Sequence, residues 1–409
     1  MSVRVLEASK RTLEADIHIL EQKLDTLKTL PLVRLNPDGV VFLSLLIHIL
    51  HDCESQVKEA MAMSRGRRVY PLPVMRERLD AVDNALAHLE QLVMSLERSV
   101  DVPAELYFML REVFNDFKCG ARFVVLYYSE LATIAIDRLL PLSSFPQSVR
   151  NKLDTFGIIF VPPRFVNNPE YWPRIVHETA HNIDRILGIT EQSIRRFEEV
   201  LAHEVDEIRQ SALSLCRERV ADLLSTHYYG PAYGESALLV FLRGEPMALP
   251  THPVGTSRLL TIASELATMG FHDASKSLSL KMRQLGIYEK LRDQLLLPFD
   301  VNKPMQNLLR KNARRLSSES GCIIHENDVR KGARAIEGQV EFDHSEQRFV
   351  RLTPVNIALR LLFNAYQFKF KGRFDNDVGE SQDLQSWILD SIRLRAGVEN
   401  PGFKHFYAR

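Results

Sequence analysis

Apolar residues that step by three and four through the first hundred positions constrain this chain most. Leu6, Leu13, Ile17, Leu20, Leu24 and Leu27 fall near heptad a and d places, and Leu79, Val82, Leu86, Leu89, Val93 and Leu96 repeat the same alternation. Such a stripe covers one face of a helix and does not fit the two-residue period of a strand. Between the stripes, residues 39–63 read as a more apolar helix, closed by a loop from Arg65 to Pro73. The expected arrangement is an antiparallel helical bundle packed on itself. The same seams would also serve a homo-oligomer or a protein partner.

Beyond residue 104 the pattern stays mostly helical. Arg122–Tyr128 is ambiguous, whereas Phe156–Val161 reads as a strand, rich in branched and aromatic residues and stopped by Pro162 and Pro163. Asn168 and Pro169 signal a helix start, and Gly188 its end. Further helices are expected near 190–215, 217–229, 234–243 and 254–270, with strand-like pieces near 341–352. The fold class is therefore mainly α. A helical bundle over 1–104 would precede an α+β core over 105–275, with a small sheet beside the helix that ends at Gly188. A mostly helical region would follow over 276–409.

The bulk chemistry excludes little but is informative. Lys plus Arg and Asp plus Glu each number 52, so the formal net charge is zero and nothing draws the chain as a whole to nucleic acid or anionic membrane. Local basic runs at Arg65–Arg68 and Lys369–Arg373 read as solvated segments. Cys53, Cys119, Cys216 and Cys322 form no CxxC pair, which fits buried thiols in a reducing compartment. The opening residues lack a secretory apolar core, and the run Val40–Leu50 is too short to span a bilayer. The expectation is a cytoplasmic protein without a membrane span. No GxxxxGK, GxGxxG or GxSxG motif is present.

One motif carries chemistry. His177-Glu178-Thr179-Ala180-His181 is an HExxH sequence. Histidines four apart share a helix face, so two imidazoles can bind one Zn²⁺, and Glu178 beside the first can act as a base. A third ligand is needed to leave a position open for water. The extended pattern does not supply it, because Asp184 and Leu187 stand where Gly and His would be. Glu218 and Asp222, again four apart, offer a better solution: Glu218 as ligand, Asp222 as hydrogen-bond partner of a ligand histidine. Glu198, Glu199 and Glu204 compete for the ligand role. His227, Tyr228 and Tyr229 end the same helix as candidates for packing or for oxyanion contact, and Trp172 reads as core.

HExxH followed by Glu218-Arg219-Val220-Ala221-Asp222 resembles the gluzincin metallopeptidases, particularly the HtpX and CAAX-prenyl-protease type and the small soluble minigluzincins. The resemblance spans about residues 157–270. It implies that Glu218 is the third zinc ligand and that a peptide or protein is the substrate. Thr251-His252-Pro253 with Arg258 is similar to the His-Pro…Arg segment of that group, which implies that His252 and Arg258 stabilise the oxyanion. Two other readings stay open: a helical interaction or regulatory protein with a structural zinc or a lapsed site, and a zinc hydrolase acting on something other than a peptide.

Overall fold

The computed structural model describes residues 3–29, 37–65, 72–99, 102–128, 132–135, 156–166, 168–197, 206–242, 255–284, 299–343, 348–370 and 378–399. Of these, 82% are helical, in fifteen helices beside two small sheets, so the fold is mainly α. The chain divides into two compact units, Met1–Val102 with Ala121–Pro162, and Pro103–Gly120 with Pro163–Arg409.

The first unit holds α1 (Val3–Leu27), α2 (Pro37–Arg65) and α3 (Leu72–Arg98) with the strands β1 (Arg122–Tyr127), β2 (Ala132–Ala135) and β3 (Phe156–Val161). The heptad-like residues Leu13, Ile17, Leu20 and Leu24 of α1 and Leu79, Val82, Leu86 and Leu89 of α3 are buried together with Phe42, Leu46 and Ile49 of α2. Burying side chains of this size stabilises the unit by roughly 1.5–3 kcal/mol each before ordering costs. Among the described residues, the stretch Asp38–Ala62 is long and apolar enough to cross a membrane by length and composition. In the folded unit Phe42, Leu43, Leu46, Ile49 and Leu50 of this stretch serve the core, whereas Val40 is exposed.

The sheet has the order β1-β3-β2, with β1 parallel and β2 antiparallel to β3. Val124, Leu126, Phe156, Ile158 and Phe160 join the helices' core, and Phe42 stacks on Phe156 at 5.5 Å. On the edge strand β1, the Phe123 N–H donates to Asp38 Oδ2 (3.3 Å) and the Tyr127 N–H to Ser99 Oγ (2.7 Å). Side chains from the helical bundle thus satisfy donors that an edge strand would otherwise expose. The sheet therefore groups with the N-terminal helices and not with the helix ending at Gly188, as the sequence had suggested.

The second unit contains α4 (Ala104–Asp116), α5 (Pro163–Val166), α6 (Trp172–Leu187), α7 (Ile189–Ile194), α8 (Asp206–Tyr229), α9 (Pro231–Leu242) and α10 (Gly255–Thr268). It continues through α11 (His272–Gln284), α12 (Phe299–Glu319), α13 (Glu326–Ala335), the hairpin β4 (Val340–Asp343) and β5 (Arg348–Leu352), α14 (Leu359–Phe370) and α15 (Val378–Glu399). The region beyond 276 belongs to this unit because α12 and α14 pack on α8. Asn168 accepts from the Glu170 N–H at 3.1 Å and starts a short 3₁₀ turn before α6, which ends at Gly188 with φ 64°. The break expected near 216 does not occur: nothing in Cys216-Arg217-Glu218 disrupts a helix, and α8 runs through it.

Candidate metal centre

HExxH lies in the middle of α6, whose residues Trp172 to Ala180 are all buried. Helix periodicity turns His177 and His181 to one side, with ring centroids 4.5 Å apart and planes at 83°. The helix that packs most closely on α6 is α8, and it brings Glu218 against both rings. Glu218 Oε2 lies 3.1 Å from His177 Nε2, and Oε1 lies 3.1 Å from His181 Nε2. Ligand atoms of the three side chains all fall within 4.8 Å of one another. Tetrahedral coordination with bonds near 2.0–2.2 Å would separate ligand atoms by about 3.4 Å, so the group fits an ion of that size. His177 and Glu218 are buried, whereas the His181 side chain keeps 18% of its exposure, which leaves an approach from one side.

Asp222, one turn beyond Glu218, holds the other nitrogen of the first histidine: Oδ1 lies 3.0 Å from His177 Nδ1. A carboxylate there favours the proton on Nδ1 and leaves the Nε2 lone pair for a metal. Asp222 is itself fixed by two more groups. Tyr233 Oη donates to Oδ1 at 2.6 Å, and Arg258 donates to both carboxylate oxygens, from Nε to Oδ2 and from Nη2 to Oδ1, each at 2.9 Å. Arg258 Nη1 also sits 3.1 Å from Glu218 Oε2, and Nη2 2.9 Å from His177 Nε2.

These contacts set the charges. Burial alone would raise the Glu218 carboxyl, but the Arg258 guanidinium, then His181 and His177, hold it well below the ordinary carboxylate range. Asp222 follows the same logic: burial is overcome by Arg258 and then His177, and its pKa is lowered. For Arg258 burial works against the cation, and Asp222 and Glu218 keep it charged. Burial, and then the Asp222 charge, push Tyr233 well above its usual value, so its hydroxyl remains a donor. Burial would lower His181, while the Glu218 charge and contact raise it.

Glu178 is buried on the same helix and forms an i,i+4 ion pair with Arg174, whose Nη1 lies 3.7 Å from Oε1. Arg174 is fixed in turn through its backbone N–H, which donates to Ser236 Oγ of α9 at 3.1 Å.

The structure thus brings His177, Glu178, His181, Glu218, Asp222 and Arg258 into one cluster. His252, Glu198, Glu199 and Glu204 lie outside the described residues. Arg258 is bound between two carboxylates. Tyr228 donates to Asp116 Oδ2 at 2.6 Å, and Tyr229 packs edge-on against Phe363, so both are packing residues. Asp184 accepts from the Thr190 N–H (2.8 Å) and hydroxyl (2.6 Å), a local tie between α6 and α7. Sequence reasoning missed Tyr233 and Arg174. The spacing of Arg174 to Glu178 was readable as an i,i+4 pair, but nothing in the sequence marks Tyr233 as a partner of Asp222.

No protein-family model, curated protein or solved structure matches this chain.

Proposed function

We propose that the chain is a zinc-dependent metallopeptidase of the gluzincin type, with His177, His181 and Glu218 as the metal ligands. The observation that carries this reading is the meeting of one carboxylate with the Nε2 atoms of both HExxH histidines, each at 3.1 Å, on a side that stays partly open. Two imidazoles and a carboxylate also suit iron(II). Zinc is favoured because the intervening Glu178 has a task in hydrolysis and none in oxygen chemistry.

A zinc ion held there supplies Lewis acidity, which polarises a scissile carbonyl and acidifies water. Glu178 takes the proton of the attacking water and returns it to the leaving amine. Arg174 restrains that carboxylate from one turn before it. Asp222, fixed by Tyr233 and Arg258, orients the His177 ring. Arg258 balances Glu218 and Asp222, and in this reading it acts through them on the ligands instead of touching substrate.

The test combines metal analysis of the purified chain with cleavage of a mixed peptide library by wild type and Glu178→Gln. The expected result is one zinc per chain in both proteins, with cleavage reduced by about 10²–10⁴-fold in the variant. Equal cleavage by the two proteins, or iron in place of zinc, would overturn the reading.

A further inference from the structure

A second feature of the same unit has a different chemistry. An open-mouthed cleft of about 670 Å³ lies between α12, the turn that follows it, the start of α13 and the start of α14. Lys311, Arg314, Arg315 and Ser318 reach it from α12, where spacings of three and four put them on one face. Arg360, in the first turn of α14, faces them. Four positive charges therefore line a space with a single carboxylate, Asp328, in a chain whose net charge is zero. That carboxylate is already engaged, accepting from the His325 N–H at 3.2 Å as part of the α13 cap.

The cations differ in how they are held. Arg360 is anchored: its Nη1 donates to the Gly321 carbonyl at 3.1 Å, and its guanidinium lies 5.7 Å over the Tyr228 ring. Lys311, Arg314 and Arg315 are exposed and form no hydrogen bond or ion pair with a described residue, and Arg314 acts on Glu265 only through space. Neighbouring surface cations behave otherwise: Arg330, one turn along α13, is paired with Glu326 at 2.6 Å. Like charges gathered without acids repel one another, and an anion that enters offsets the repulsion. The cleft's volume is that of a small-molecule site, and Ile323 and Leu361 give it one apolar wall.

We propose that this cleft binds a small molecule bearing two or more phosphates, with Arg360 as the fixed contact and Lys311, Arg314 and Arg315 closing on the remaining charge. Guanidinium forks match phosphate oxygens bidentately, and the volume ends near the size of a nucleotide.

The experiment is calorimetric titration of the metal-stripped full chain with inorganic triphosphate and, separately, with ATP at about 0.15 M salt. Stripping the metal removes chelation as a source of signal. One site per chain is expected. Lys311→Gln with Arg315→Gln, both exposed, should leave the melting temperature unchanged and weaken triphosphate by on the order of tenfold or more. Arg360→Gln should weaken triphosphate by at least as much, with some loss of melting temperature from its contacts to Gly321 and Tyr228, and Lys58→Gln, in the first unit, should change nothing. Tighter binding of ATP than of triphosphate would assign the apolar wall to a nucleoside, and equal binding would assign the site to phosphate alone; either supports the proposal. No binding by wild type, equal binding by the double variant, or an equal loss in Lys58→Gln would overturn it. Stronger binding of a polyglutamate peptide than of triphosphate would also overturn it, in favour of an acidic protein partner.

Discussion

Two buried histidine–carboxylate clusters join α8 to α10, and of the two only one has a geometry that could hold an ion. In the first, the Nε2 atoms of His177 and His181 both point at Glu218, while Nδ1 of His177 is occupied by Asp222. In the second, His227 has both ring nitrogens engaged, Nδ1 with Ser317 Oγ at 2.9 Å and Nε2 with Glu265 Oε1 at 3.0 Å, and Arg310 closes Glu265 from the far side at 2.9 Å. His227, Ser317 and Glu265 are fully buried, whereas His181 retains an exposed edge. Serine, histidine and glutamate in a row are hydrolytic residue types, yet a triad with no access from solvent has no substrate to act on. Residue type does not make a site. Lone pairs that converge and an open approach do, and the second cluster serves as a polar clamp between α8, α10 and α12.

The sharpest way to break this comparison is to remove one histidine from each cluster. His181→Ala should lower zinc affinity by on the order of a thousandfold, since a few ligands share a binding energy of roughly 10–16 kcal/mol in zinc sites. His227→Ala should leave zinc affinity within about threefold and instead cost about 3 kcal/mol of folding stability, because Glu265 and Ser317 stay buried without their partner. Chelator competition and denaturant titration read the two quantities separately. Loss of zinc affinity in both variants would mean that the clusters act as one.

Arg258 offers the next largest effect. Without a metal it is the cation that faces Glu218 and Asp222 in the buried site. Arg258→Met should destabilise the metal-free chain by about 3–5 kcal/mol, the range for breaking a buried ion pair from one side. The loss should be visibly smaller with zinc at saturation, because the ion then supplies the missing charge. A loss of the same size with and without zinc would show that Arg258 matters only for packing.

A third contrast concerns buried acids with and without a cation. Glu265 would be raised by burial, but the His227 hydrogen bond and charge, then Arg310 and Arg314, lower it. Asp184 forms no ion pair with a described residue: burial, and then the Glu191 charge, outweigh the Thr190 donors and the more distant His181 charge, and its carboxyl is pushed up to about 6. The signs are opposite. The depressed Glu265 contributes stability above the ordinary carboxylate pKa, and that contribution is lost as pH falls through the folded value. The raised Asp184 contributes fully below about 4, and its contribution fades as pH climbs through about 6, a change of up to about 3 kcal/mol. Relative to wild type, Asp184→Asn should gain stability as pH rises from 4 to 7, and Glu265→Gln should gain as pH falls below 4. Parallel pH profiles for the two variants would refute the assignment.

Much of this was legible before the fold was known, and the reason is locality. His177 with His181, and Glu218 with Asp222, are i,i+4 pairs, so helix geometry alone puts each pair on one face. The stripes of Leu13–Leu27 and Leu79–Leu96 named the core of the first unit for the same reason. What the sequence hid is nonlocal. The parallel pairing of β1 with β3 spans residues 122 to 161, and the alternation of one strand does not name its neighbour, so the sheet was assigned to the wrong unit. Tyr233 reaches Asp222 only because α9 folds back after Gly230, whose φ of 53° permits the reversal. The role expected of Arg258 followed a motif, whereas its partners depend on how α10 lies against α8.

The subtlest contrast is between two acids that each touch a histidine. Asp222→Asn keeps the shape of the side chain but removes its charge. The amide oxygen can replace Oδ1 toward His177 and Tyr233, and the amide N–H groups then face the Arg258 Nε–H, a donor against a donor. The His177 ring loses the carboxylate that fixes its tautomer, and zinc affinity should fall by about 10–100-fold with Glu218 and His181 intact. Glu265→Gln makes the same chemical change beside His227 and should leave zinc affinity unaltered, because no ligand nitrogen depends on it. If the second substitution weakened zinc as much as the first, the Asp222 effect would reflect general loosening of α8 against α10, and its hold on the His177 ring would not be what sets the affinity.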